Sequence, residues 1–305
     1  MLNQFSMDEY DNTFRITTTT GDNWRTSDSS TNHLWVLNEK LELIGSVEDL
    51  APSERIYSTR FMGERAYMVT FRQTDPLYVI DLSNPDNPEV LGYLKVTGFS
   101  TYLHPYDQDH IIGIGKEATE TGRALGVKIT IFDVTDVNNP IERAKYEITD
   151  AKWSDSTALY EHKAFLFDKE KNLLSIPISY TYETNTKDTL GYNRYKSWNG
   201  VYVFDITKDE IKLKGKIDHE NQNLNEEDDY YYNNWRSRIQ RSLFMDDVLY
   251  TVSELMVKAN NLDYLDEIKY IDLPYDEEDF RKYYVGEDVM TVWILKISHQ
   301  NNILL

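Results

Sequence analysis

Residues 79–90 read VIDLSNPDNPEV and residues 131–142 read IFDVTDVNNPIE, so the chain carries nearly the same phrase twice. Looser copies stand at residues 33–45, HLWVLNEKLELIG, and at residues 201–213, VYVFDITKDEIKL. In each copy an alternating apolar run ends at Asp or Asn, a turn follows, and a second alternating run begins. Such alternation is typical of half-buried strands, and a proline, which cannot donate to a ladder, ends them. Each copy therefore predicts a β-hairpin.

A second phrase recurs ahead of each hairpin and predicts two more strands around a short polar turn. Its copies begin at residues 5 (FSMDEYDNTFRITTTT), 57 (YSTRFMGERAYMVTF), 99 (FSTYLHPYDQDHIIGIG), 155 (DSTALYEHKAFLFDKEKNLLSIPIS) and 239 (IQRSLFMDDVLYTVSE). Four-stranded units at roughly the 40–50-residue spacing of propeller blades, with no helical periodicity between them, predict an all-β chain. The predicted fold is a β-propeller of four-stranded antiparallel blades. The five blades span about 3–51, 52–97, 98–149, 150–218 and 236–275.

Asp81, Asp133 and Asp205 each end the first run of a hairpin phrase. The favoured interpretation is that these carboxylates cap the turn that follows the strand. Calcium ligation is the alternative, but the Asp-rich, Gly-centred loop that gathers several oxygens on one ion is missing.

The number of blades in the complete ring stays open at this point. Five blades either close a ring by themselves or belong to a larger ring. In a larger ring the first and last blades expose apolar faces, and self-association through these open blade edges is then expected. Residues 276–305 form a C-terminal extension, which we expect to be either an extra strand or a tail.

The charge of the chain excludes several classes of partner. There are 52 acidic and 32 basic side chains, which gives a net charge of -20. Such a surface repels phosphate backbones and anionic lipid, so we expect no nucleic-acid partner. No apolar run reaches the length of a membrane span, and the start, MLNQFSMDEYDNTF, lacks the pattern of a signal peptide, so direct membrane insertion is not expected. The absence of cysteine excludes disulfides and thiolate chemistry.

A family resemblance rests on five phrases that occur in order. They are NQFSMDEYDNTFRITTTTG, ERIYSTRFMGERAYMVTFRQTDPLYVIDLSNPDNPEVLG, TYLHPYDQDHIIGIGKE, ALYEHKAFLF and RSLFMDDVLYTVSE with VKANNLDYLDEI. Together they resemble the prokaryotic family of secreted proteins with a C-terminal β-propeller, distantly related to WD repeats. The resemblance runs from about residue 2 to 275 and implies that the chain corresponds to the C-terminal portion of such a protein. It also implies an extracellular or cell-envelope location, and it brings no activity, cofactor or catalytic residue.

The long loops of the chain are expected on one face of the propeller, because loops between strands two and three of a blade emerge with the loops that connect blades. These loops are rich in aromatic residues: Trp24, Tyr180, Tyr182, Tyr192, Tyr195, Trp198, Tyr230, Tyr231, Tyr232 and Trp235. Aromatic rings among carboxylates and amides are suited to bind carbohydrate, peptide or cationic partners. The alternative interpretation is that the tyrosines cover neighbouring blades and that the acidic run at 225–229 is simply solvated.

Catalytic motifs are missing from the sequence. There is no Gly-x-Ser-x-Gly, no His-Glu-x-x-His and no Gly-rich phosphate loop. His104, Asp107, Asp109 and His110 share one predicted turn and are weak metal candidates, but two histidines need a further ligand from elsewhere, and an ordinary polar turn is favoured. No cofactor is expected.

Three hypotheses about function remain. The first is a noncatalytic propeller module of an exported or envelope protein, which binds a polymer, peptide or protein partner through its aromatic and acidic loops. The alternative is a metal-assisted hydrolase or lyase with its site at the propeller channel. The third is a purely structural role, as an assembly block whose open blade edges join subunits.

Overall fold

The computed structural model describes residues 1–21, 30–71, 75–119, 121–151, 153–187, 190–219 and 236–274. These residues form five antiparallel sheets arranged as successive propeller blades, and each sheet is built from consecutive strands of the chain. The all-β fold class predicted from the repeated phrases is confirmed.

Each blade is assembled in chain order from its inner to its outer strand. Blade 1 contains β1 (Met7–Tyr10), β2 (Thr13–Thr20), β3 (Thr31–Leu37) and β4 (Leu43–Leu50), and blade 2 contains β5 (Arg55–Met62), β6 (Arg65–Phe71), β7 (Asp75–Asp81) and β8 (Glu89–Val96). Blade 3 contains β9 (Phe99–Pro105), β10 (His110–Ala118), β11 (Ala124–Asp133) and β12 (Ile141–Glu147). Blade 4 contains β13 (Ser154–Asp155), β14 (Leu166–Asp168), β15 (Leu173–Lys187), β16 (Asn193–Ile206) and β17 (Ile211–Asp218). Blade 5 contains β18 (Arg241–Met245), β19 (Val248–Val252), β20 (Met256–Asn261) and β21 (Glu267–Asp272).

Blade 4 departs from the simple four-stranded pattern. Its inner strand is divided into β13 and β14, and both pieces pair with β15. Two 3₁₀ turns, Thr157–Leu159 and His162–Ala164, fill the gap between the pieces. A third 3₁₀ turn, Gln4–Ser6, precedes blade 1. All helical segments in the described ranges are thus single short turns, and none of them is long enough to cross a bilayer.

The repeated hairpin phrase forms the turn between the third and fourth strands of a blade. The Asp81 carboxylate accepts the backbone N–H of Ser83 at 3.0 Å, and the Asp133 carboxylate accepts that of Thr135 at 2.9 Å. Both aspartates therefore cap the turn that follows their strand, as the sequence predicts.

The same turn also packs against the preceding blade at a glycine. A Cβ added to Gly45 would lie 2.2 Å from the carbonyl oxygen of Pro85 in the next blade, and one added to Gly92 would lie 2.5 Å from that of Val137. In blade 4 a Cβ on Gly215 would lie 2.7 Å from the side chain of Leu265. The outer strand of these blades therefore has a notch that admits the turn of the following blade, and only glycine leaves it open.

The core lies between blades, and its extent shows which blades are covered on both faces. The second strand of blade 2 is buried at every position from Ala66 to Phe71, and that of blade 3 is buried throughout His110–Ala118. In contrast, burial alternates along β19 of blade 5, and β2 of blade 1 is buried only at Arg15 and Thr17. Since successive side chains of a strand point to opposite faces, the two end blades are buried on one face only.

Candidate functional site

A long hairpin of blade 4 is the most prominent surface feature of the described residues. Its strands β15 and β16 have 15 and 14 residues, whereas the longest of the remaining strands has 10. The ladder continues outwards beyond Trp198, with Tyr182 opposite Lys196, Glu183 opposite Tyr195, and Lys187 opposite Asn193 near the tip. The segment that the sequence presented as a loop insertion is thus largely regular β-structure that projects beyond the blade.

The base of this hairpin is a packed aromatic cluster. The rings of Tyr180 and Trp198, which lie opposite each other on the two strands, are stacked with centroids 5.3 Å apart. Trp198 in turn meets the ring of Tyr202 edge-on at 5.4 Å. The Lys216 ammonium lies 4.6 Å from the centre of the Tyr202 ring, which adds a cation-π contact. This cluster anchors the hairpin on the blade.

Hydrogen bonds to Asp150 complete the cluster. The Asp150 carboxylate accepts the Tyr202 hydroxyl at 2.5 Å and the Lys216 ammonium at 2.6 Å. Burial together with the bond to Asp150 raises the pKa of Tyr202. Burial, the largest single influence, would lower the pKa of Lys216, but the bond to Asp150, the Asp150 charge and the interactions with Tyr180 together outweigh it, and the pKa is raised. The phenol therefore stays neutral and the ammonium stays charged, which suits an anchor rather than a proton-transfer site.

The outer half of the hairpin leaves large apolar side chains in solvent. The exposed fractions are 39% for Tyr182, 48% for Tyr195, 69% for Tyr192 and 80% for Leu190. Tyr182 stands 6.1 Å from Tyr180, centroid to centroid, and shares its face of the hairpin. Tyr195 pairs with Glu183 and so points to the opposite face. The structure therefore joins Tyr182 to Trp198 through Tyr180, and it separates Tyr195 from both.

The outer half of the described hairpin is not acidic, whereas the sequence predicted acidic residues among the aromatic loops of this face of the propeller. Its outer half has one carboxylate, Glu183, beside three cationic side chains, Lys187, Arg194 and Lys196, among the residues that the structure describes. The acidic run at 225–229 and five of the predicted aromatic residues lie outside the described residues: Trp24, Tyr230, Tyr231, Tyr232 and Trp235.

A small cleft opens beside the base of the hairpin, between blades 4 and 5. Its volume is about 150 Å³, and its polar lining includes Asp155, Tyr160, Asn199 and Arg238. The Tyr160 hydroxyl donates to the Asp155 carboxylate at 2.7 Å, and the Lys116 ammonium lies 3.1 Å from the same carboxylate. Burial, followed by the bond to Asp155, raises the pKa of Tyr160 to about 12. The sequence contained no sign of this cleft, because its lining comes from separate segments that only the packing of two blades brings together.

The weak metal candidates divide between two environments. His104 packs against the ring of Phe165, and its Nδ1 lies 3.0 Å from the Tyr102 hydroxyl. Burial, with a smaller contribution from the Arg60 charge, lowers the pKa of His104 to about 4.

His110 belongs instead to the turn of its own hairpin. Its Nδ1 lies 2.8 Å from the Asp107 carboxylate, which also accepts the backbone N–H of Asp109. Across the described ranges no group of three or more His, Cys, Asp or Glu side chains is placed to hold one metal ion. These contacts are those of a polar turn.

Comparisons with known proteins agree with this architecture. Residues 1–265 match the model of a family described as a beta propeller domain. An uncharacterised protein of Methanocaldococcus jannaschii is 36% identical over 279 residues, which are 90% of this chain and 38% of the relative. An uncharacterised protein of Archaeoglobus fulgidus is 38% identical over 221 residues, which are 70% of this chain and 33% of the relative. The chain thus spans between 33% and 38% of the length of these relatives.

Solved structures provide a more distant likeness. The apo structure of AztD from Citrobacter koseri superposes with a TM-score of 0.49 and 14% sequence identity, over 88% of this chain and 59% of that chain. A second crystal structure of the same protein gives a TM-score of 0.49 and 13% identity.

Proposed function

The chain belongs to the beta-propeller domain family, and on this basis we propose that it is a noncatalytic binding module of an exported or cell-envelope protein. The proposed partner is a polymer, a peptide or another protein, and the proposed contact surface is the outer half of the β15–β16 hairpin. Export and the relation to WD repeats are supported by the sequence resemblance of the five ordered phrases alone.

The observation that carries the proposal is the exposure of three tyrosines in the outer half of the β15–β16 hairpin, where Tyr182 and Tyr195 lie on opposite faces. Tyr182, Tyr192 and Tyr195 keep between 39% and 69% of their surface in solvent, although the hairpin base is fully packed. Tyrosine offers a large contact area at a low entropic cost, and it is enriched among residues that dominate binding energy. Because the ladder is continuous as far as the pair Glu183–Tyr195, the backbone at Tyr182 and Tyr195 is held in place and needs little ordering when a partner binds.

The neighbouring charges restrict the kind of partner. Lys187, Arg194 and Lys196 lie near the tyrosines, and the sequence of residues 182–196 adds two carboxylates, Glu183 and Asp188. Three cations against two carboxylates leave this segment slightly cationic on a strongly acidic chain. A partner with carboxylate or sulfate groups next to sugar rings or aromatic side chains complements this surface. Acidic polysaccharides and acidic peptides are therefore the first probes to use.

The proposal is tested with the triple variant Tyr182→Ala, Tyr192→Ala, Tyr195→Ala. Wild-type protein and variant are applied to arrays of acidic and neutral polysaccharides and of acidic and basic peptides, and affinities for retained probes are measured by calorimetry. We expect retention of acidic probes by the wild type and at least a tenfold weaker affinity for the variant, since each exposed aromatic anchor contributes about 1 kcal/mol or more.

Tyr264→Ala is the matched control, because Tyr264 is also highly exposed but lies in the β20–β21 turn, on the opposite face of the propeller. This control should bind as the wild type does, and circular dichroism should show all three proteins folded. Equal affinity of the triple variant and the wild type, or retention of no probe by the wild type, would show the proposal to be wrong.

A further inference from the structure

The cleft between blades 4 and 5 has room for one six-membered ring. Its volume is about 150 Å³, and an apolar cavity of about this volume holds one benzene molecule. Three of its lining residues, Thr157, Tyr160 and Arg238, are exposed, so a ligand can reach the cleft from solvent in the described structure. A ligand larger than one ring therefore has to extend out of the cleft.

Three polar side chains of the cleft have hydrogen-bonding capacity left for a ligand. Among the residues that the structure describes, the hydroxyls of Thr157 and Ser179 and the guanidinium of Arg238 have no ion pair and no hydrogen-bond partner. A hydroxyl both donates and accepts hydrogen bonds, and a guanidinium donates up to five. A small ligand that carries several hydroxyls and an acceptor group can use all three.

The charge of the cleft favours an anion. Its lining includes two charged side chains, Asp155 and Arg238. The Asp155 carboxylate already pairs with the Lys116 ammonium at 3.1 Å and accepts the Tyr160 hydroxyl at 2.7 Å. Arg238 is thus the charge that a ligand can neutralise, and a guanidinium binds a carboxylate through two parallel hydrogen bonds.

Tyr160 adds a flat apolar wall at the mouth of the cleft. The residue is 73% exposed although its hydroxyl is bound to Asp155, so the ring is held in one orientation while most of its surface stays in solvent. A fixed aromatic ring gives a large contact area at a low entropic cost, and the C–H face of a sugar ring can pack on it. Pro177, Ile178 and Ile239 provide further apolar contacts inside the cleft.

We propose that the cleft binds a hexuronic acid ring at the end of a saccharide chain. The carboxylate of the sugar bonds to Arg238, its hydroxyls bond to Thr157 and Ser179, and its C–H face packs on Tyr160. A neutral hexose lacks the carboxylate, and a simple carboxylate lacks the ring and the hydroxyls. The cleft shares no residue with the outer half of the β15–β16 hairpin, so this inference does not depend on the proposed hairpin function.

The test measures binding of the methyl glycosides of glucuronic and galacturonic acid by calorimetry and saturation-transfer NMR. The methyl glycosides of glucose and galactose are the neutral probes, and acetate is the simple carboxylate. For a single acidic ring we expect a Kd on the order of 1 mM. Neutral sugars and acetate should bind at least tenfold more weakly, and a trisaccharide of the uronic acid should bind at least as tightly as its methyl glycoside.

Variants locate the binding in the cleft. Arg238→Gln should weaken binding of the acidic sugars at least tenfold and leave the weak binding of the neutral sugars nearly unchanged, whereas Tyr160→Ala should weaken both. Arg143→Gln removes the same charge from an exposed ion pair of blade 3 and is the matched control. Arg238 and Tyr160 are exposed, so circular dichroism should show that both variants fold.

Several results would overturn the proposal. They are no binding of either acidic glycoside at about 10 mM, equal affinity for acidic and neutral sugars, and acetate binding as tight as that of the acidic sugars. An Arg238→Gln variant with the affinity of the wild type would place the binding elsewhere. A trisaccharide that binds more weakly than its methyl glycoside would show that the cleft does not accept the end of a chain.

Discussion

The buried His219 makes the stability of the blade 4 to blade 5 junction depend on pH. Its imidazole is 2% exposed and lies between two hydroxyls of blade 5, with Nε2 2.8 Å from Thr251 Oγ1 and Nδ1 2.9 Å from Ser253 Oγ. Burial, followed by the nearby Lys258 charge, lowers the pKa of His219 to about 4. The ring is therefore neutral in the folded protein over most of the acidic range.

The sign and size of the effect follow from this shift. The unfolded chain takes up a proton on His219 at its ordinary pKa near 6.5, whereas the folded protein does so only near 4, so stability falls as the pH drops from about 6.5 to about 4. Between pH 7.5 and pH 5.0 the loss from this one group is about 2 kcal/mol. Above pH 7 the group makes no contribution to the pH dependence.

The assay compares urea unfolding of the wild type and of His219→Asn at several pH values. Asparagine can still bond to one of the two hydroxyls but cannot titrate, so the free energy of unfolding of the variant should fall by about 2 kcal/mol less than that of the wild type between pH 7.5 and pH 5.0. His104, whose pKa is lowered in the same direction, contributes equally to both proteins and cancels. Parallel curves for the two proteins between pH 7.5 and pH 5.0 would refute the reasoning.

Two further predictions concern contacts between blades. Arg15 is 1% exposed, pairs with Asp8 and donates to the Gly63 carbonyl of blade 2 at 2.6 Å. In urea unfolding, Arg15→Ala should lower the free energy of unfolding by about 3 kcal/mol, because it leaves the Asp8 carboxylate without its partner. Arg143→Ala, which removes an exposed ion pair with Asp209, should lower it by less than about 1 kcal/mol. Gly92→Ala should lower the free energy of unfolding by about 1–3 kcal/mol, because the added Cβ would collide with the Val137 carbonyl oxygen. The variant should therefore melt at a lower temperature than the wild type. Equal melting temperatures would show that the space beside Gly92 is not closed to a side chain.

Much of the fold could be predicted because the relevant signals are local. Alternation of apolar residues marks the strands, and at Asp81 and Asp133 the aspartate that ends the run also caps the turn that follows it. The division of the inner strand of blade 4 could not be predicted in this way. Whether β13 and β14 form one strand or two depends on how both pair with β15, which is a tertiary contact.

The candidate site was predictable only in composition. The aromatic residues were visible in the sequence, but their segment was interpreted as a loop, although YTYETNTK is rich in tyrosine and threonine, which favour strands. The register of β15 against β16 decides that Tyr182 and Tyr195 lie on opposite faces. A shift by one residue would reverse this, and nothing in the local sequence specifies it.

The glycine notches affect how the molecule can move. At Gly45 and Gly92 the backbone of the following blade sits in the space where a side chain would be, so neighbouring sheets are interlocked at their outer edges. If one sheet slid along the next, the carbonyl of Pro85 or Val137 would collide with the side chains that flank the glycine in the neighbouring outer strand. Rotation of one blade against the next about their inner strands keeps the turn seated, whereas shear does not. The softest relative motion of blades 1 and 2, and of blades 2 and 3, should therefore be a hinge about the inner strands.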